Sequence, residues 1–297
     1  MAGEPSISIL IPTRDRAPLL PRALASVVAA VSEVSVATEI VVIDNGSSDG
    51  TAALLSEWVT RGSNRVRLFI AEPGRSRALN RGLQVQRAPL VLFTDDDVDV
   101  GRGWVGAVLD FFDRHPDHAA AVGRVCPIPA DDSESNRALM ARFPGLHPFY
   151  DAGEVERDVV EMYGCNMAVR RTVFDSLGGY DERLGVGASG LCEDTDLSRR
   201  MRQAGMRIGY MPDAVVYHGV DRNRLTPEAF RQFQVRAARS HFLMDPQQRP
   251  ARHRLRLFNA VVSYALWSLR GSVTRRAKAW GRILRHREML RLCRAAR

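Results

Sequence analysis

Hydrophobic positions in the first hundred residues fall into short dense runs separated by longer stretches with helical spacing. Ser6-Ile7-Ser8-Ile9-Leu10-Ile11 is a β-rich run closed by Pro12. Arg16 to Val31 has apolar residues at helical intervals. Glu39-Ile40-Val41-Val42-Ile43 reads as a second strand, stopped by the turn residues Asp44-Asn45-Gly46-Ser47. Asp49 then caps a helix that runs to about Thr60. Val66 to Ile70 reads as a third strand, Ser76 to Gln86 as a helix, and Leu90 to Phe93 as a fourth, buried strand. Strands alternating with helices predict an α/β fold, with a mostly parallel sheet and helices on both faces. No Gly-x-Gly-x-x-Gly follows the first strand, which counts against a dinucleotide-binding dehydrogenase.

The second half repeats the pattern less regularly. Tyr163 to Arg171 has the pattern of a strand entering a helix, and a glycine-rich loop spans Gly185 to Gly190. Glu193, Asp194 and Asp196 open a further helix, where acids favour the macrodipole. Ala214-Val215-Val216-Tyr217 is an apolar strand with His218 at its end. Pro127 to Glu161 mixes prolines, acids and aromatics and reads as irregular.

Charge changes the picture at the C-terminus. Residues 249–297 hold 14 of the 42 Lys and Arg and one acid, Glu288, for a charge of +13. The remaining residues hold 28 basic against 33 acidic groups. The division is expected at Pro246-Gln247-Gln248-Arg249-Pro250, giving a body of residues 1–248 and a basic, helical tail of residues 249–297. Leu255 to Leu269 is too short for a membrane span and suits an interfacial helix. Two readings of the tail stay open: docking on an anionic membrane surface, or packing on the body or in a homodimer interface. No nucleic-acid-binding module accompanies the charge, so nucleic acid is not expected as a partner. The N-terminus lacks a basic n-region and an apolar run, and Cys126, Cys165, Cys192 and Cys293 are widely spaced, so a reducing cytoplasm is expected.

The run Thr94-Asp95-Asp96-Asp97-Val98-Asp99 follows the fourth strand directly. Three consecutive carboxylates at one strand tip repel one another unless a cation neutralises them, and hard divalent cations prefer carboxylate oxygen. The carboxyl ends of parallel strands are also where α/β sheets bind ligands. Taken alone, the run is equally compatible with a solvated acidic turn.

The ordered set of motifs resembles glycosyltransferase family 2. The pieces that match are Ile11-Pro12-Thr13-Arg14, Val42 to Thr51, Asn80 and Gly82, Asp95-Asp96-Asp97, the later Gly164-Cys165-Asn166, Gly178 to Glu182, Glu193 to Leu197, and His218. The resemblance covers about residues 6 to 220 and implies the GT-A fold, a Rossmann-like sheet. It implies a nucleotide-sugar half at about 1–100 and an acceptor half at about 101–220. Pro12, Thr13, Arg14 and Asp44 would then surround the nucleotide, joined by Arg75, Asp95 and Asp96. Asp97 and His218, with Asp95, would ligate Mn2+ or Mg2+. Asp194 would be the catalytic base, with Glu193 beside it as acceptor ligand or substitute base. Asp15 departs from the family pattern by adding a negative charge, for which Arg14 or Arg16 would compensate. The implied reaction is inverting transfer from a nucleotide-sugar, a UDP-sugar first, to a carbohydrate, lipid-linked or small-molecule acceptor. Two other classes remain beside it: a nucleotide-sugar-binding protein without catalysis, and a metal-dependent nucleotidyltransferase. The latter usually has a glycine-rich loop after its first strand, which Pro12 to Arg16 lacks.

Overall fold

The computed structural model describes residues 4–129 and 133–296. The first unit comprises residues 1–126, 149–182 and 193–218. It opens with β1 (Ile7–Thr13), α1 (Leu20–Ser32), β2 (Thr38–Asp44), α2 (Thr51–Thr60), β3 (Arg65–Phe69), α3 (Arg75–Val85) and β4 (Leu90–Thr94). There follow β5 (Val98–Val100), α4 (Trp104–Arg114) and β6 (His118–Ile128). β1, β2, β3 and β4 are parallel, with β1 between β2 and β4.

The expected alternation is present, with shifted ends. Pro12 does not close the first strand. Pairing with β4 ends at Leu10↔Phe93, so Pro12 lies where that side of β1 has no ladder bond to lose. α1 begins at Leu20 rather than Arg16, because Pro18 biases the residue before it away from helical geometry. α2 starts at Thr51, whose N–H donates to Asp49 Oδ1 at 2.9 Å, so Asp49 caps from one residue further out than expected.

The remaining strands join through antiparallel pairs. β8 (Asn166–Arg170) pairs antiparallel with β4 and with β6. β9 (Arg207–Gly219) pairs antiparallel with β5 and with β7 (Arg157–Asp158). Among the described residues, the sheet order is β3-β2-β1-β4-β8-β6-β9-β5. Alternation along β1 separates the two cores. Ile7, Ile9 and Ile11 pack with Leu20 and Leu24 of α1, Trp58 of α2 and Trp104 of α4. Leu10 packs on the opposite face with Ala78 and Leu79 of α3 and with Leu197 and Met201 of α7 (Glu193–Gln203). α6 (Arg171–Leu177) adds Val173 to that face. Gly82 lets α3 sit close to the sheet, since a Cβ there would lie 3.1 Å from Ile43 Cδ1 and 3.2 Å from Leu10 Cδ1.

The second unit gathers residues 127–148, 183–192 and 219–297. It contains α5 (Glu134–Arg142), α8 (Pro227–Met244), α9 (Pro250–Leu269) and α10 (Val273–Ala295). α5 lies inside the stretch expected to be irregular. Ser133 caps it by accepting from Asn136 N–H at 3.2 Å, and Leu139 and Met140 pack against a cluster of Phe143, Val220, Leu225 and Phe230. The break between α8 and α9 falls at residues 245–249, which contain Pro246, and Pro250 opens α9. α9 and α10 pack on each other, and α10 packs on α8. Among the described residues, no helix is long and apolar enough to cross a membrane.

Candidate active site

The first group of candidate residues lies at the carboxyl ends of β1 and β2, where the register sets Thr13 beside Asp44. Pro12 and Thr13 are buried, and the Thr13 side chain lies against Asp96, where it partly offsets the effect of burial on that carboxyl. Asp44 is fully buried. One of its oxygens accepts from Ser47 N–H at 3.0 Å and the other from Arg67 Nη2 at 3.1 Å, which leaves each a further lone pair. Asn45 donates to Glu72 O at 2.7 Å and accepts from Gly74 N–H at 2.8 Å. It thereby ties the β2 tip to the start of α3 and sets the position of Arg75.

Two neighbouring arginines divide their work. Arg14 lies 3.5 Å from Asp15 on the exposed surface. Arg16 reaches back to the acid run, 3.6 Å from both Asp96 and Asp97. Asp15 adopts the left-handed conformation at φ 52° and accepts from Ser48 N–H at 2.7 Å. This backbone hydrogen bond holds its carboxyl below the usual range.

Asp95, Asp97 and His218 form the metal candidate. Each offers one ligand atom, and these atoms lie within 4.8 Å of one another. The antiparallel register Val98↔His218 brings the histidine beside the acid run, with His218 Nε2 3.4 Å from Asp97 Oδ1. Two carboxylates and an imidazole fit Mn2+ or Mg2+, and the imidazole favours Mn2+. Asp96 lies outside this trio. It is buried, and burial pushes its carboxyl up to about 6.

A second group of acids converges from α7. Arg75, at the start of α3, places Nη2 2.5 Å from Asp95 Oδ1 and Nε 2.9 Å from Glu193 Oε1. Asp194 Oδ2 accepts from Gly164 N–H at 2.9 Å. Burial raises the carboxyls of both Glu193 and Asp194, and the Asp194 charge adds to the rise at Glu193. Arg77, two residues further along α3, instead pairs with Glu72 and Glu182. The buried Tyr180 hydroxyl has no hydrogen-bond partner. Asn80 holds the Tyr180 backbone on both sides, donating to its carbonyl at 3.0 Å and accepting from its N–H at 2.7 Å.

Other matched motif residues have structural work. Asn166 accepts from Trp104 Nε1 and donates to the Arg124 and Ala214 carbonyls, each at 2.8 Å. Asp196 pairs with Arg199 and Arg200, and Arg200 also donates to the Leu177 and Gly179 carbonyls. Arg67 has no place in the sequence reading, and Arg16 enters it only as a counter-charge to Asp15. Position relative to the strand tips is the only local signal either carries.

Residues 8–178 match the family model described as Glycosyl transferase family 2. The chain belongs to that family, whose members are inverting, metal-dependent glycosyltransferases of GT-A fold. It is 28% identical over 279 residues to protein y4gI of Sinorhizobium fredii, covering 84% of this chain and 29% of that protein. It is 30% identical over 227 residues to the N-acetylglucosaminyl-diphospho-decaprenol L-rhamnosyltransferase of Mycobacterium tuberculosis, covering 63% of this chain and 70% of that protein. Among solved structures, a mannosyltransferase from Pyrobaculum calidifontis in complex with GDP-Man and Mn2+ has the same fold. The TM-score is 0.57 at 18% identity, over 99% of this chain and 74% of that one. The chain thus spans less than a third of the y4gI protein.

Proposed function

We propose that the protein transfers a sugar from a nucleotide-sugar to an acceptor hydroxyl, with inversion at the anomeric carbon. One observation carries this reading. The trio Asp95, Asp97 and His218 is joined through Arg75 to the partly shielded pair Glu193 and Asp194. Such a site can serve both a departing diphosphate and an incoming hydroxyl. Asp95, Asp97 and His218 would hold Mn2+ or Mg2+, which when bound supplies Lewis-acid stabilisation of charge on the diphosphate.

The chain's own residues supply the rest. Thr13 and Asp44 offer the nucleotide a buried hydroxyl and a carboxylate, and Arg67 fixes that carboxylate. Arg16 and Arg75 bring positive charge to the acid run. Glu193 is held by Arg75, whereas the Asp194 oxygens accept from the backbone N–H groups of Gly164 and Thr195. Asp194 is therefore the group assigned to take the acceptor proton, and burial makes its carboxylate a stronger base. The name of the mycobacterial rhamnosyltransferase supports a lipid-linked acceptor, and the archaeal complex supports a nucleotide-sugar donor with Mn2+.

The test is nucleoside diphosphate release from a panel of nucleotide-sugars with Mn2+, followed by acceptor screening with the productive donor. Donor binding without release or transfer would leave a binding protein. Pyrophosphate release from a sugar phosphate and a nucleoside triphosphate would identify a nucleotidyltransferase.

A further inference from the structure

α9 is apolar on two opposite sides. His253 and Ala260 are buried, and the side they share faces α10. His253 Nδ1 lies 3.2 Å from His286 Nδ1, and the Tyr264 and Trp280 rings are 6.0 Å apart. The other side carries Leu255, Phe258, Val262, Leu266 and Leu269, exposed by 62, 65, 42, 48 and 87%. Their spacing of three, four, four and three residues confines them to an arc of about 80° on the helix. That arc is centred about 180° from the buried side. Packing within the unit therefore does not account for these side chains.

Charge borders this stripe with one sign. On the same helical wheel Arg252, Arg256 and Arg270 run along one border and Arg254 lies along the other, all exposed. α9 contains no acidic residue. A helix with an exposed apolar stripe between arginine rows has the form that lies in the headgroup layer of an anionic bilayer, its apolar side among the acyl chains. A protein partner would have to supply both an apolar groove and acids on either side of it.

We propose that the outward stripe of α9 docks the protein on the surface of an anionic membrane, lying in the interface plane without spanning it. The proposal stands apart from the transferase reading, because none of the stripe residues belongs to the candidate active site.

The test is co-sedimentation of the full chain with phosphatidylcholine vesicles containing phosphatidylglycerol, and with phosphatidylcholine vesicles alone, at low and high salt. The wild type is expected to bind the anionic vesicles and to keep part of that binding at high salt, where charge attraction is screened. The double variant Phe258→Ser, Leu269→Ser should weaken partitioning by about tenfold or more, with unchanged circular dichroism and unchanged diphosphate release. The single variant Leu269→Ser, at the most exposed position, supplies the same comparison if the double variant is not folded. Absence of wild-type binding would overturn the proposal. So would binding that high salt abolishes and the stripe variants leave unchanged, since arginines alone would then explain it. A lipid-free dimer that the variants convert to monomer would assign the stripe to a protein interface instead.

Discussion

Arg75 joins Asp95 to Glu193, so a carboxylate of the metal candidate and one beside the proposed base share a single guanidinium. The arginine is less than one-fifth exposed, and both partners are similarly shielded. Replacing Arg75 with Met leaves two shielded carboxylates without their cation. Such a change costs about 3–5 kcal/mol. Urea unfolding of the metal-free protein should show that loss, and Arg75→Lys should recover only part of it because an ammonium lacks the planar fork. Unchanged stability in Arg75→Met would remove the proposed coupling.

Metal removal should abolish transfer, and Mn2+ should restore it. Asp97→Ala should lower kcat/KM by several kcal/mol of transition-state stabilisation, the scale of a lost Lewis acid. Direct Mn2+ titration followed by electron paramagnetic resonance separates lost binding from misfolding. Full activity of Asp97→Ala in chelator would refute the site.

Asp194→Asn preserves size and removes basicity. We expect kcat to fall by about 10²–10⁴-fold, with the donor dissociation constant nearly unchanged. If Glu193→Gln shows the larger loss, the two roles are exchanged.

Burial pushes Glu193 up to about 7 from an ordinary 4.5. An acid raised in the folded state favours folding below its unfolded pKa, and that contribution is lost as pH rises through the folded value. Relative to Glu193→Gln, the wild type should therefore lose stability between about pH 4.5 and 7. Denaturant melts across that range, in chelator, measure the difference. A wild-type curve that gains stability relative to the variant there would contradict the burial argument.

Gly164 makes a narrower case. A Cβ at this position would lie 3.3 Å from Asp194 Oδ2 and 3.6 Å from Arg75 Nη2. Gly164→Ala should displace the Asp194 carboxylate and reduce kcat by up to about 10²-fold, as small misplacements of catalytic groups do. Equal kcat in the two proteins would mean that Asp194 is not the positioned base.

By itself the sequence determined what depends on local chain physics. β1 to β4 and the helices between them follow from short-range periodicity, which hydrophobic burial enforces on each element. The acid run at the end of β4 and the acids opening α7 were visible for the same reason, because each is contiguous in the chain. The order of motifs carried His218, a lone histidine with no local signal of its own. Tertiary structure alone decided what contacts between distant segments create. The antiparallel pairing of β8 with β4 and of β5 with β9 selects the histidine's partner, and strand pairing is a long-range choice that spacing does not encode. Arg75 looks like any helical arginine until Glu193, at the start of α7, is brought within 2.9 Å of it, and Arg16 is separated from Arg14 only by which way the β1–α1 loop turns. α5 forms inside a stretch that reads as irregular because Phe143 and Phe230 give it a surface to pack on. The outward stripe of α9 was legible as apolar residues, but only packing against α10 decided which of them remain exposed.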